Sequence, residues 1–207
     1  MGRPIQSAAK VSTPERILAA AEAEFAAVGY APARLADIAA RAGIRRPSLL
    51  YHFATKEVLY RAVVERAFDQ LGVALLSAMQ QGEGFEARLE AVIRGFAGFL
   101  DERPGLAPII VRELIDDPEH GDDPSRRGGA HGQAILLERV VPLLSVVEDF
   151  VREQGGERLR PGLPIRAAVV QFAGDLLLRS AAGSLRAPLW GSQDHALTLA
   201  RLLFLRD

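Results

Sequence analysis

The segment LADIAARAGIRRPSLLYHFATKE, residues 35–57, constrains this chain more than any other stretch. Its apolar residues recur at helical spacing on either side of one glycine. Leu35, Ile38, Ala39 and Ala42 precede it, and Leu49 and Phe53 follow it. Gly43 stands where the chain must reverse within a residue or two, which calls for a positive φ that glycine adopts without steric cost. Ile44 is placed to pin that turn to a core, and the small Ala39 lets two helices cross closely. The spacing predicts two short helices, about 35–42 and about 46–53, joined by a tight turn. Packing uses up the apolar positions. Arg45, Arg46, Ser48, Tyr51 and His52 are left together on the outer face of the second helix.

That face has the chemistry of a DNA reader. Arginine pairs with guanine O6 and N7 or with phosphate, and serine and tyrosine hydroxyls donate to phosphate oxygens. A helix carrying them after a tight turn is suited to the major groove of duplex DNA. Pro47 fixes the first turn of this helix and offers a surface to a thymine methyl. Lys56 opens the next helix, where its charge and the free N–H groups suit a phosphate.

The rest of the chain reads as helix with no strand alternation and no internal repeat. Thr13 and Pro14 start a first helix bearing Ile17, Ala21, Phe25 and Val28, which ends at Gly29. Thr55 caps a long helix with Leu59, Val63, Ala67 and Leu71 inside. Further helices are predicted over 85–102, 104–116, 131–154 (through Pro142), 165–182 and 192–205. Residues 1–12 read as a flexible basic arm, and the Gly- and Pro-rich 116–129 as a mobile loop. The fold class is all-α: residues 13–57 form a three-helix helix-turn-helix module, and residues 58–207 a larger helical domain.

Composition removes most other functions. The chain has no cysteine, hence no disulfide, thiol nucleophile or Cys-ligated zinc. Its histidines are scattered without ligand spacing, so neither metal nor cofactor is expected, and no nucleophile–base pair or phosphate-cradling glycine loop suggests an enzyme. The N-terminus lacks the apolar core of a signal peptide. No run of about 18 apolar residues predicts a membrane span, and a cytoplasmic protein is expected. Net charge is −1, but residues 1–60 carry eight Lys/Arg against five Asp/Glu, and the remainder 17 against 21. A basic module on an acidic body fits a polyanion partner.

AGIRRPSLLYHFATKEVLY resembles the signature of the TetR family, A-G-V-S-x-x-x-L-Y-x-H/Y-F-x-x-K-E, and the likeness extends back through Gly29-Tyr30 and Leu35-Ala36-Asp37-Ile38-Ala39 to about residue 13. The resemblance implies a homodimeric, ligand-responsive transcriptional regulator, usually a repressor, that binds a palindromic double-stranded DNA operator. Carried over by position, Arg45, Arg46, Pro47, Ser48, Leu50, Tyr51 and His52 are recognition-helix contacts, and Arg34 and Lys56 are phosphate contacts. The chain departs from the family in three places. Arg34 and Arg45 stand where Ser or Thr caps the second and third helices, and Leu50 stands where an aromatic is frequent. A helical enzyme, or a binding or scaffolding bundle that has lost DNA binding, are the alternatives.

In such a protein the C-terminal helices take an effector, here a small apolar one. Phe96, Phe99, Leu100, Ile109 and Ile110 are candidates to line its pocket, with ordinary core as the other reading. Arg112 and Glu113, in an otherwise apolar helix, either anchor a ligand or serve a domain contact. Asp175 and Arg179, continuing from Gln171 at intervals of four, belong to the pocket, the dimer interface or solvent. Val140, Leu144 and Val147, with Val169, Phe172, Ala173, Leu176 and Leu177, give the two late helices apolar faces too wide for a monomer to cover, which suggests the homodimer interface.

Overall fold

The structure, a computed structural model, describes residues 12–115 and 129–206, and only the backbone of 129–132. The arm over 1–11 and most of the predicted 116–129 loop lie outside the described residues. Helix α1 is Thr13–Val28. Its cap is Ser12, not Thr13, because the reciprocal glutamate lies three residues after Ser12. The Ser12 Oγ accepts from the Glu15 N–H, and the Glu15 carboxylate accepts from the Ser12 N–H at 2.9 Å. Gly29 at φ 83° ends the helix.

Helices α2 (Leu35–Arg41) and α3 (Arg46–His52) follow, and neither has a side-chain cap. Helix α4, Lys56–Ala78, is capped by Thr55 Oγ1 accepting from the Val58 N–H at 3.2 Å. It runs unbroken for 23 residues. The expected boundary between 57 and 58 therefore falls in the first turn of a continuous helix. The upper part of α4 buries Leu59, Tyr60 and Val63, and the lower part Leu71 and Leu75. Helices α5 (Gly84–Glu102), α6 (Leu106–Ile115), α7 (Gly129–Gly155) and α8 (Ile165–Ala181) build the larger bundle. Pro142 lies within α7 without ending it. A short α9, Arg186–Trp190, and α10, Ala196–Phe204, complete the described chain. Pro188, with Gly183 and Gly191 on either side, reads as loop in the sequence, yet it lies inside α9.

Helix α4 packs on α1, α5 and α7, while α6 reaches α1, α7 and α8, and α10 lies on α8 and α5. One buried hydrophobic core runs through both parts, from Ile17 and Phe25 to Ala200 and Phe204. Among the described residues there is no strand, only a bridge between Leu159 and Leu205 that pins the C-terminal end to the loop after α7. No described helix is long and apolar enough to cross a membrane.

Candidate functional site

The turn between α2 and α3 is held by backbone bonds. The Gly43 N–H donates to the Ala40 carbonyl and the Ile44 N–H to the Ala39 carbonyl, each at 3.0 Å, with Gly43 at φ 68°. This is a Schellman termination, which satisfies two of the last carbonyls of α2 and fixes where α3 begins. Arg16 of α1 reinforces it, donating to the carbonyls of Ala42 and Gly43. Leu49 is fully buried. With that residue inward, Arg45, Arg46, Pro47, Ser48, Tyr51 and His52 are all exposed, Tyr51 at 86%. Leu50 is half-buried at the edge of this face, and Arg34 is exposed at the start of α2. All of these candidates but Leu50 and Lys56 are exposed to solvent.

Lys56 is placed differently. Its half-buried ammonium donates to the carbonyls of Tyr30, Ala31 and Ala33, at 3.0, 3.0 and 3.3 Å, and lies 4.6 Å from the centre of the Tyr30 ring. Those bonds take up its three donors and hold the turn between α1 and α2 against the start of α4. The Tyr30 hydroxyl donates to Glu57 at 2.7 Å. That bond, more than the backbone and Thr55 bonds and the Lys56 charge that act with it, holds the Glu57 carboxyl down at about 2. Burial, then the Glu57 bond, pushes the Tyr30 phenol up.

Two adjacent residues of α6 tie the module to the bundle. The Arg112 guanidinium donates to the last carbonyls of α1, Phe25 at 3.1 Å, Ala26 at 2.7 Å and Ala27 at 3.3 Å. A cation there also meets the negative end of the α1 dipole. Glu113, buried, accepts from the Tyr60 hydroxyl of α4. Tyr60 in turn packs edge-on against Phe25 and Tyr30, with ring centres 4.9 and 5.0 Å apart. Of the two readings of Arg112 and Glu113, the structure supports the domain contact. Along the outside, Arg61–Glu138 (2.9 Å), Arg139–Glu65 (3.0 Å) and Arg139–Asp69 (3.2 Å) link α4 to α7.

On the other side of α6 lies a half-open cavity of about 370 Å³. Helix α4 contributes Phe68, Leu71 and Leu75, α5 contributes Phe96 among others, and α6 contributes Ile110 and Leu114. Phe99, Leu100 and Ile109 are buried in the core and do not line it. Val140, Leu144, Val147, Val169, Phe172, Ala173 and Leu177, the residues expected at a dimer interface, are in its wall, and Leu176 is buried in the core. Periodicity marked these as one apolar face of each helix, but did not say that the faces turn toward α4 and α5. What α8 leaves outside is Leu178, 50% exposed, and α10 leaves Leu199 and Leu202, 43% and 57%, while Val170, 47% exposed, stands at the cavity's rim. Asp175 and Arg179 are not in the wall. They pair at 2.7 Å, and Asp175 accepts from the Trp190 Nε1–H at 3.0 Å, which fastens α9 to α8. Gln171 is exposed. No cluster suited to a metal ion occurs among the described residues.

Arg16, Tyr60 and the bonding of Lys56 were not foreseen. Each acts across 23 or more positions of sequence, and no local pattern marks them.

Residues 17–63 match the family described as bacterial regulatory proteins, tetR family. The HTH-type transcriptional activator FasR of Mycolicibacterium smegmatis is 31% identical over 105 residues, 50% of this chain and 48% of FasR. The chain spans about half the length of the curated relatives it matches. A TetR-like transcriptional regulator from Rhodococcus sp. RHA1 superposes with a TM-score of 0.69 at 18% identity, covering 95% of this chain and 96% of that one. A SmeT–triclosan complex superposes at 0.62 with 24% identity, covering 94% and 92%.

Proposed function

We propose that this chain, whose residues 17–63 match the tetR family and whose fold is that of TetR-like regulators, is a ligand-responsive transcriptional repressor of that family, not an enzyme, acting on DNA in the bacterial cytoplasm. It binds a palindromic operator as a homodimer, with one α3 in each of two successive major grooves about 34–36 Å apart. The observation that carries the reading is the exposed face of Arg45, Arg46, Ser48, Tyr51 and His52 on a helix fixed by the Gly43 turn. Arg34, Arg45 and Arg46 serve the phosphates, Ser48 and Tyr51 add hydroxyl donors, and Pro47, Leu50 and His52 border the bases. Lys56 acts by holding the turn between α1 and α2.

The second copy covers the outer face of α8 and α10, where Leu178, Leu199 and Leu202 are exposed. The cavity is the effector site, and SmeT with triclosan shows a protein of this fold in complex with a small molecule. Effector entry displaces Ile110 and Leu114. Because α6 is short, Arg112 and Glu113 move with them and carry α1 and α4 to a different angle.

Fluorescence anisotropy of the full chain with DNA from upstream of its own gene, against random DNA, tests this. Three arginines in each of two protomers give a slope of log affinity on log salt of about −5. Equal affinity for both DNAs at every salt concentration would refute the reading.

A further inference from the structure

We propose that the cavity takes the bare hydrocarbon part of its ligand, an aliphatic tail of on the order of a dozen to fifteen carbons, and leaves any polar group at the rim. The inference rests on reading the bundle as the effector domain, and concerns what that domain selects.

Among the described residues, the cavity wall is made solely of Ala, Gly, Val, Leu, Ile and Phe. No side chain in it offers a donor or acceptor. The lining stretches of α4, α5 and α8 are helix interiors, where N–H and C=O groups bond one another. A hydroxyl, amide or carboxylate carried inside would lose its water and gain no partner. Size sets the length. An apolar cavity of about 150 Å³ holds one six-carbon benzene, so about 370 Å³ corresponds to roughly fifteen carbons. Shape favours a flexible tail over a flat ring system. The four rings, Phe68, Phe96, Phe172 and Phe204, come from four different helices, the nearest pair, Phe172 and Phe204, meets edge-on at 75°, and the remaining wall is chiefly branched aliphatic. Nothing forms the paired parallel faces that would grip a planar aromatic. The exposed Leu114, Leu137, Val141 and Val170 mark the rim, where a polar end stays in water.

The test is calorimetric titration of the full chain with straight-chain 1-alkanols from eight to eighteen carbons, and with a mid-chain diol of matched length. The Kd falls about threefold to fourfold per added methylene, then stops falling between twelve and fifteen carbons. The mid-chain diol binds at least tenfold more weakly than its parent. Val147→Phe fills part of the cavity and moves the break to a chain about four carbons shorter, while circular dichroism and the melting transition confirm that the variant is folded. A Kd independent of chain length, a diol that binds as well as the plain alkanol, or no binding because a second copy seals the rim would each overturn the proposal. Alkanols that bind with the expected break but leave DNA affinity unchanged would sustain this inference and defeat the effector reading. Release of DNA by a compact polar molecule, with no alkanol binding, would do the reverse.

Discussion

Replacing Gly43 separates the two demands that the turn makes. The first is conformational: φ is 68°, and an L-residue with a Cβ pays about 1–2 kcal/mol to stay there. Asparagine pays less, because it tolerates the left-handed region, and a β-branched residue pays more. The second is spatial: a Cβ at Gly43 would lie 3.0 Å from Arg16 Nη2. Valine would push that guanidinium off the Ala42 and Gly43 carbonyls, and a hydrogen bond from a charged donor is worth about 1.5–3 kcal/mol. The expected losses are under about 1 kcal/mol for Gly43→Asn, about 1–2 for Gly43→Ala and about 3–5 for Gly43→Val. Urea unfolding followed through the N-terminal module reads the stability, and anisotropy on the operator reads the function. Both should worsen in the order Asn, Ala, Val, while the C-terminal bundle keeps its melting transition and its dimer. Wild-type affinity in Gly43→Val would refute the placement of the turn. Equal damage from Asn and Val would show that crowding of Arg16, not φ, governs it.

Arg112→Ala removes three bonds to the end of α1 and the charge beside its dipole. It should destabilise the N-terminal module by about 2–3 kcal/mol and weaken the dependence of operator affinity on effector, seen as a smaller ratio of the two Kd values. Arg46→Gln should make the salt dependence shallower by about 2 in slope for a dimer. Lys56→Met should lower stability by about 1–3 kcal/mol and leave that slope unchanged, and a shallower slope would restore Lys56 to the phosphates. Glu57, held at about 2 in the folded chain against an ordinary 4.5, contributes stability that is complete above about pH 4.5 and is lost as pH falls through 2. Glu57 is exposed, so after discounting for solvent the contribution is on the order of 1 kcal/mol. Tyr30→Phe should remove most of this acid dependence in urea titrations between pH 5 and 2.

The helix-turn-helix was legible in the sequence because each of its constraints is local. The turn needs a glycine at one position, the crossing needs a small residue four earlier, and the recognition helix needs one inward leucine. The structure meets these with Gly43, Ala39 and Leu49. The orientation of α7 and α8 was not legible. A periodic apolar face says that something covers it, and Val140 or Phe172 would show the same spacing whether the cover were a second protomer or the rest of the bundle. Burial in the chain's own cavity is decided by where α4 and α5 lie, and that depends on contacts many residues away. Arg112 had the same difficulty. A charge in an apolar helix announces a partner, but the end of α1 lies more than 80 positions earlier in the chain.

The chemistry of the cavity also bears on how a ligand could control α3. Shifting a two-state equilibrium from 1:99 to 99:1 takes about 5.5 kcal/mol of differential affinity. A wall without hydrogen-bonding groups has burial and packing as its means of supplying that difference. At about 0.8 kcal/mol per methylene, seven fewer buried methylenes in the operator-bound state than in the free one supply it. That is roughly half of what a volume of about 370 Å³ accommodates. On the proposed effector reading, the operator-bound conformation would close about half of the cavity. One route for that closure would run through α6. Ile110 and Leu114 are the cavity's contacts on the ten-residue α6, and a roll of that helix inward fills space while dragging Arg112 against α1 and Glu113 against Tyr60. On that reading the ligand's leverage and the path to the DNA-binding module would be the same displacement, and an effector too short to keep α6 out would bind without releasing the operator.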